Sequence, residues 1–442
     1  MLSSLALVIS ALAAPAADRA PAGPVVIRVA TFNVEDVRTE DLRDPAHARL
    51  RRLAEVIQRI RPNIILLNEV AYDMKGAPGY KEGDPEGQNG QRFADTFLAV
   101  AQATDVKPIK YKAFTAPSNT GLFSGFDLDR DGKVTNTYPV PPGTKPDGSP
   151  GDQTPEGRAF GNDCWGFGTF PGQYAMTLLV DERLTIDTEH VRTFQLYPWD
   201  YMPGNLMPLA ADGTDWYAGE AKTAMRLSSK SLWDVPVKLP NGAELRVLCS
   251  HPTPPAFDGP EMRNKRRNHD EIRLIRDYID NLPGVVDDKG LEGGLIMRKE
   301  GPLVGVTIPF VVLGDLNADP KDGDSFRSPI AKMLFKSRHV NSAVVPESDV
   351  KVEGLDPWDT AMFKLRVDYA LPSKSVKVLN SGVWRHAPVT GKPASPVNAT
   401  PGSPAAPTPA ALSTDKPAFP SDHFPVWIEI EVPAPDPVDV QK

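Results

Sequence analysis

Only two of the 442 residues are cysteine, Cys164 and Cys249. That count excludes a disulfide-built scaffold and a zinc site made of thiolates. The pair is left to bridge in an oxidising compartment or to remain as two buried free thiols. A basic excess is also missing: 49 Lys and Arg stand against 57 Asp and Glu, a formal net charge of −8. Such a balance excludes the global electrostatic footprint of a sequence-independent nucleic-acid binder, while a local basic strip stays compatible with it. No stretch reaches the roughly 18 apolar residues of a membrane span. There is no internal repeat.

What is present describes a globular chain, with 40% hydrophobic and 24% charged residues, enough to bury a sizeable core. Residues 1–17 join an apolar run at 5–14 to small residues around Ala14, Pro15, Ala16 and Ala17. They read as a secretory signal that lacks the usual charged start, so the expected destination is secreted or periplasmic. One domain is expected over 24–432, followed by a disordered tail at 433–442. Within it, 392–417 is dominated by Ala, Pro, Ser and Thr and reads as a flexible insert. Two further inserts, 116–161 and 197–219, are long for loops of a compact domain and are expected to shape a substrate surface or to form ordered Ω-like excursions.

Hydrophobic periodicity predicts strands at 25–33, 63–68, 174–180, 232–237, 244–250, 309–313, 366–371 and 425–430. It predicts helices from an Asp44-Pro45 start to about Arg61, and at 91–103, 262–282 and 329–335. Hairpin-like and crossover connections both occur, which points to an α/β fold with mixed sheets.

Chemistry-bearing residues recur at the ends of these strands. Gly314-Asp315-Leu316-Asn317 follows the apolar Val311-Val312-Leu313 and presents a carboxylate and an amide two residues apart; the bland reading is a turn in which Asp and Asn bond their own backbone. Ser421-Asp422-His423 sets a carboxylate beside an imidazole, suited to a metal and a proton transfer in one site. Arg366-Val367-Asp368-Tyr369 puts an Asp inside a strand, where a buried carboxylate needs a partner such as a histidine. Ser250-His251-Pro252, Asn33 and Glu69 close three other strands. Each alone is readily a capped strand end.

Taken in order, Thr31-Phe32-Asn33, Asn68-Glu69-Val70, Ser250-His251-Pro252, Gly314-Asp315-Leu316-Asn317, Arg366-Val367-Asp368-Tyr369 and Ser421-Asp422-His423 resemble the motif series of the endonuclease/exonuclease/phosphatase superfamily, the deoxyribonuclease-I-like phosphoesterases, in a secreted bacterial-type member. The resemblance runs over about 25–432, and six motifs in sequence are far more specific than any one. It implies a four-layer α/β sandwich, two mixed β-sheets packed face to face with helices outside. It implies that Glu69, with Asn33 and Asp422, holds Mg²⁺, or Mn²⁺ in its place. Asp368 would pair with His423, Asp315 and Asn317 would position water and a phosphoryl oxygen, and His251 would donate to the developing phosphorane. The implied reaction is in-line attack of water on phosphorus, with His423 or Asp315 taking the proton. One departure stands out: no carboxylate lies around Gly172-Gln173-Tyr174-Ala175-Met176 to support His251, which leaves Gln173 or Tyr174 as substitutes.

Three features lie outside this series. Asp127-Leu128-Asp129-Arg130-Asp131-Gly132 copies half an EF-hand, but Tyr138 stands at the twelfth position; it reads as a structural Ca²⁺ loop at Asp127, Asp129 and Asp131 or as a plain acidic turn. The basic run 263–267 reads as a solvated helix start, with phosphate contact as the alternative. Tyr197, Trp199, Tyr201, Trp216 and Tyr217 form an apolar rim, stack bases or pack their insert. The expectation is therefore a monomeric enzyme acting on nucleic acid, a phospholipid head group or a small phosphate ester. Its rival is a catalytically silent secreted binding protein on the same fold.

Overall fold

The computed structural model describes residues 23–137, 143, 145, 148–295, 297–298, 301–302, 308–388 and 419–435. The expected signal, the 392–417 insert, Tyr138 and most of the expected tail lie outside these residues.

The strands in chain order are β1 (Val25–Val37), β2 (Ile64–Val70), β3 (Tyr111–Phe114), β4 (Met176–Asp181), β5 (Thr185–Ile186), β6 (Arg192–Thr193), β7 (Leu232–Lys238), β8 (Glu244–Ser250), β9 (Met297–Arg298), β10 (Gly301–Pro302), β11 (Phe310–Asp315), β12 (Asp368–Pro372), β13 (Lys377–Val383) and β14 (Val426–Val432). One six-stranded sheet has the order β13-β14-β1-β2-β4-β3; the other runs β12-β11-β8-β7-β5, with β6 also paired to β7. Each sheet mixes parallel and antiparallel neighbours: β1 is parallel to β2 but antiparallel to β14, and β11 is parallel to β8 but antiparallel to β12. The expected sandwich of two mixed sheets is the fold observed.

Side-chain alternation makes the layers. On the second sheet Trp233, Val235, Val247, Cys249, Val311 and Leu313 face a core shared with β1, β2 and β4. Their neighbours Leu232, Leu248, Val312 and Leu371 face the opposite way, onto Ile272, Ile275 and Ile279 of the helix Arg263–Ile279. Each such buried aliphatic side chain contributes about 1.5–3 kcal/mol, so a charge at Val247 would break the sandwich. The helix Ala48–Ile60 links the parallel β1 and β2, as a parallel pair requires. It starts later than Asp44, because Asp44 Oδ1 accepts from Ala46 N at 2.9 Å in a preceding turn. It stops at Arg61, whose left-handed backbone sends its N–H to Ile57 O at 2.8 Å.

Other differences are local. The expected helix 91–103 is an α-turn at Asn89–Phe93 that passes into a π-helix at Ala94–Leu98. Cys164 and Cys249 are both buried and free. Tyr197, Trp199 and Tyr217 are buried, so these rings pack their insert, while Tyr201 is half exposed. Among the described residues, no helix is long and apolar enough to cross a membrane.

Candidate active site

Asn33 stands opposite Asn68 in the parallel β1–β2 register, so the next residue, Glu69, emerges beside it. Asn33 Nδ2 donates to Glu69 Oε1 at 3.0 Å. Immediately beyond, β1 bulges, with Glu35 and Asp36 at φ of 55° and 47°. Left-handed backbone at two successive non-glycine residues is uncommon and is characteristic of functional corners. The bulge aims Asp36 N at Glu69 Oε2, 3.0 Å away, so both oxygens of Glu69 are held.

The second sheet meets this corner at Gly314, where an added Cβ would lie 1.8 Å from Ser250 O. Only glycine lets β11 approach β8 so closely, and the approach brings His251 next to Asp315. Asp315 Oδ2 accepts from Asn33 Nδ2 at 3.1 Å and lies 3.5 Å from His251 Nε2 and 3.8 Å from His423 Nε2. One carboxylate oxygen thus joins the two sheets and both imidazoles. Asp315 Oδ1 accepts from Asn317 N at 2.8 Å, and Asn317 Nδ2 donates to Pro252 O at 3.1 Å. Asp368, paired with Asp315 across β11 and β12, lies 2.8 Å from His423 Nδ1. Ser421 Oγ donates to Asn33 O at 2.8 Å and accepts from His423 N at 3.2 Å, which seats the Ser421-Asp422-His423 turn against β1. Phe363, about half exposed, sets its ring edge-on to His423 with centroids 5.4 Å apart.

Asn33, His251, Asp315, Asp368 and His423 are buried and Glu69, Asn317 and Asp422 partly so, and their surroundings drive the titratable groups apart. Burial pushes Glu69 up to about 7, opposed by the Asn33 hydrogen bond and reinforced by the charges of Asp422 and Asp36. Burial also acts upward on Asp315, but His423 and His251 prevail and hold it below the usual carboxylate range. Burial would lower His423, yet Asp368 and Asp315 outweigh it and keep the imidazole protonated well above its ordinary range. His251 goes down to about 4 through burial and the nearby Lys230. The site therefore holds one imidazolium and one neutral imidazole around an ionised carboxylate.

The structure brings together all eight residues singled out in the sequence: Asn33, Glu69, His251, Asp315, Asn317, Asp368, Asp422 and His423. The substitutes expected for His251 are placed elsewhere. Gln173 Nε2 donates to Asp36 Oδ2 at 2.9 Å, and Gln153 Nε2 donates to the Tyr174 hydroxyl at 2.5 Å. Tyr174 has a left-handed backbone, with φ of 58°. His251 Nδ1 makes no hydrogen bond.

Two site residues escaped the sequence reading. Asp36 is held by Arg38 Nε at 3.0 Å and by Gln173 and sits behind Glu69. Lys230, 5% exposed, feels the charges of Glu271, Glu69 and Asp315. The signal for Lys230 was the β7–β8 hairpin, whose Leu232–Ser250 pairing sets the segment before β7 beside His251.

Among the described residues, two groups of carboxylate or imidazole side chains have metal-compatible spacing, Asp315-Asp368-His423 and Asp127-Asp129-Asp163. The first is already joined internally by the His423–Asp368 hydrogen bond and the His423–Asp315 ion pair, which accounts for its closeness without an ion. In the second, Asp163 takes the third place expected of Asp131. Asp163 arrives there because its oxygens accept from Leu128 N at 2.9 Å and Thr135 N at 2.7 Å.

A two-sheet sandwich with its polar groups gathered where the central strands end is the deoxyribonuclease-I-like class of fold. The model of the "Endonuclease/Exonuclease/phosphatase family" matches residues 30–423. The chain belongs to that family. No curated protein matches it at a significant level. Among solved structures, it is similar to an endonuclease/exonuclease/phosphatase from Beutenbergia cavernae, at 16% identity and a TM-score of 0.46, covering 92% of this chain and 72% of that one. It is similar to a Bacteroides thetaiotaomicron mannosyl-6-phosphatase (11%, TM-score 0.41, 91% and 99%) and to the human Nocturnin catalytic domain (13%, TM-score 0.40, 92% and 97%). The family assignment rests on the sequence match.

Proposed function

We propose that the chain is an exported, divalent-metal-dependent phosphoesterase that hydrolyses phosphodiesters or phosphomonoesters. The observation that carries this reading is the split between a crowded acidic corner around Glu69 and an ionised Asp315 flanked by two imidazoles in opposite protonation states. Such pairs of environments assign acid and base roles.

The donor set at the first corner fits a hard cation: Glu69 and Asp422 supply carboxylate oxygens, and Asn33 Oδ1 keeps a lone pair beyond the one it gives Glu35 N at 3.0 Å. Burial first, and then repulsion from Asp422 and Asp36, raises Glu69, and a bound cation would offset both. Mg²⁺, or Mn²⁺, would supply positive charge to a phosphoryl oxygen and a site for water. Asp315 orients the attacking water with Asn317 and takes its proton as the new P–O bond forms. His423, already protonated, gives its proton to the leaving oxygen as that P–O bond breaks. His251 and Lys230 donate hydrogen bonds to the phosphoryl oxygens. Asp368 keeps His423 oriented and charged. The Asp127-Asp129-Asp163 group is proposed to take a structural Ca²⁺ in the neighbouring insert.

The test is release of phosphate or nucleotide by the full chain from DNA, RNA, phospholipids and small phosphate esters, with EDTA and with added Mg²⁺. Mg²⁺-dependent release, lost in His423→Ala with the fold intact, is the expected result. Silence across the panel in a chain that still binds metal would favour the silent binding protein.

A further inference from the structure

The helix Arg263–Ile279 does two different jobs along its length. Its later turns bury Ile272, Ile275 and Ile279 against the second sheet. Of the basic run 263–267, residues 263–266 stay partly exposed and only Arg267 is buried; the turn that follows buries Asn268, Asp270 and Glu271. These polar groups bind loops. Asn268 Nδ2 donates to Thr253 O at 2.9 Å and to Leu316 O at 3.0 Å. Glu271 Oε2 accepts from Thr253 N at 2.6 Å; Glu271 Oε1 accepts from Ser229 N at 2.7 Å and Ser228 Oγ at 3.4 Å.

Every partner of Glu271 lies within two residues of a site residue. Thr253 follows His251 by two positions, and Ser229 precedes Lys230. A buried carboxylate is costly unless its oxygens are satisfied, so these bonds hold both segments firmly. The His251 ring has no hydrogen bond at Nδ1 and stands 3.5 Å from Asp315 through Nε2. Its position therefore follows from its backbone, which Glu271 grips. The Glu271 charge also acts on Lys230, next in chain to the gripped Ser229.

We propose that Glu271 is a positioning residue: its carboxylate clamps the segments 228–230 and 251–253 together and sets where the Lys230 ammonium and the His251 imidazole stand relative to Asp315. The consequence for rate rests on the phosphoesterase reading; the clamp itself does not.

The experiment compares the full chain with Glu271→Gln, Glu271→Asp, Lys230→Met and the Lys230→Met/Glu271→Gln double variant. Three quantities are read: kcat and KM on a substrate the parent hydrolyses, histidine Cε1 NMR signals, and the thermal unfolding midpoint. Glutamine cannot accept both backbone N–H groups, and a misplacement of this kind costs about 10–100-fold in kcat with KM within about 3-fold. The His251 signal moves while those of the exposed His190 and His386 stay. The double variant loses no more than the worse single one, because both act through one arrangement. A lower unfolding midpoint with kcat and the His251 signal unchanged overturns the proposal and leaves Glu271 a structural carboxylate. If the Gln variant does not fold, Glu271→Asp, which keeps the charge on a shorter arm, must still move the His251 signal; an unmoved signal overturns the proposal equally. A parent without hydrolytic activity defeats the functional reading alone, since the NMR comparison still decides the clamp.

Discussion

Glu69 and Asp315 stand on different sheets and accept hydrogen bonds from the same amide nitrogen, Asn33 Nδ2, at 3.0 and 3.1 Å. Both carboxylates are withdrawn from solvent, Asp315 fully and Glu69 partly, yet Glu69 is pushed up to about 7 and Asp315 is held below its usual range. Burial acts alike on both, so the neighbours decide. Around Glu69 the charged neighbours include Asp422 and Asp36; around Asp315 they are His423 and His251. The first sheet presents an excess of negative charge that a cation would neutralise, while the second presents a carboxylate whose counter-charges are already built in. The fold supplies the contrast by bringing the ends of β1 and β2 to one edge and, to the facing one, the ends of β8 and β11 with the start of β12.

The largest effect follows from removing the common oxygen. Asp315→Ala is expected to lower kcat by about 10²–10⁴-fold and to shift both imidazoles downward, His423 toward its ordinary titration and His251 further below its own, read by steady-state kinetics and histidine NMR. If the two histidine signals keep their parental positions, the second half of the comparison fails.

Glu69→Gln tests the first half. Metal affinity should fall by about 10-fold or more, seen by calorimetric titration, because a charged ligand is lost. In chelator-treated protein at pH 8 the same variant should unfold at a higher temperature than the parent, because a buried charge facing Asp422 and Asp36 has gone. An equal or lower midpoint would show that Glu69 is not strained in the absence of metal.

The pH dependence sharpens the contrast between neighbours. With a folded value of about 7 against an ordinary 4.5, Glu69 binds its proton more tightly folded than unfolded, so its contribution to stability falls as pH rises from 4.5 to 7. His251, at about 4 against an ordinary 6.5, is protonated sooner when unfolded, so its contribution rises between pH 4 and 6.5. Metal-free Glu69→Gln lacks the first contribution, and its stability advantage over the parent should grow from pH 4.5 to 7. Denaturant unfolding at several pH values checks this. A constant gap would contradict it.

The smallest effect is expected at Phe363, whose ring meets His423 from a half-exposed position. Phe363→Ala should change kcat/KM by about 2–10-fold, the scale of one aromatic contact, without altering metal affinity.

Much of this site could be read from sequence because its residues terminate strands of strong apolar periodicity. Asn33, Glu69, His251 and Asp315 all stand at or next to such ends, and Asp368 and His423 announced a carboxylate–imidazole pair that forms at 2.8 Å. The support behind them was hidden. Glu271 shares a helix with a run of arginines and looks solvated until the helix is docked on the sheet. Lys230 sits in a Ser-rich approach to β7 that has no periodicity of its own, and Asp36 depends on a bulge that only tertiary contacts reveal. In the fold, β13 was missed because its Asn380-Ser381-Gly382 stretch interrupts alternation and its pairing to β14 shifts register between Val378 and Asn380. β3 is only four residues long, too short for periodicity to detect.

The most direct test of the two-halves account is calorimetric titration of Mg²⁺ into the chelator-treated parent and Glu69→Gln at pH 6, each in two buffers of different ionisation enthalpy. The account predicts that the parent binds Mg²⁺ and releases up to one proton, and that both binding and release are strongly reduced in Glu69→Gln. Parental affinity in the variant, or binding without proton release in the parent, would contradict it.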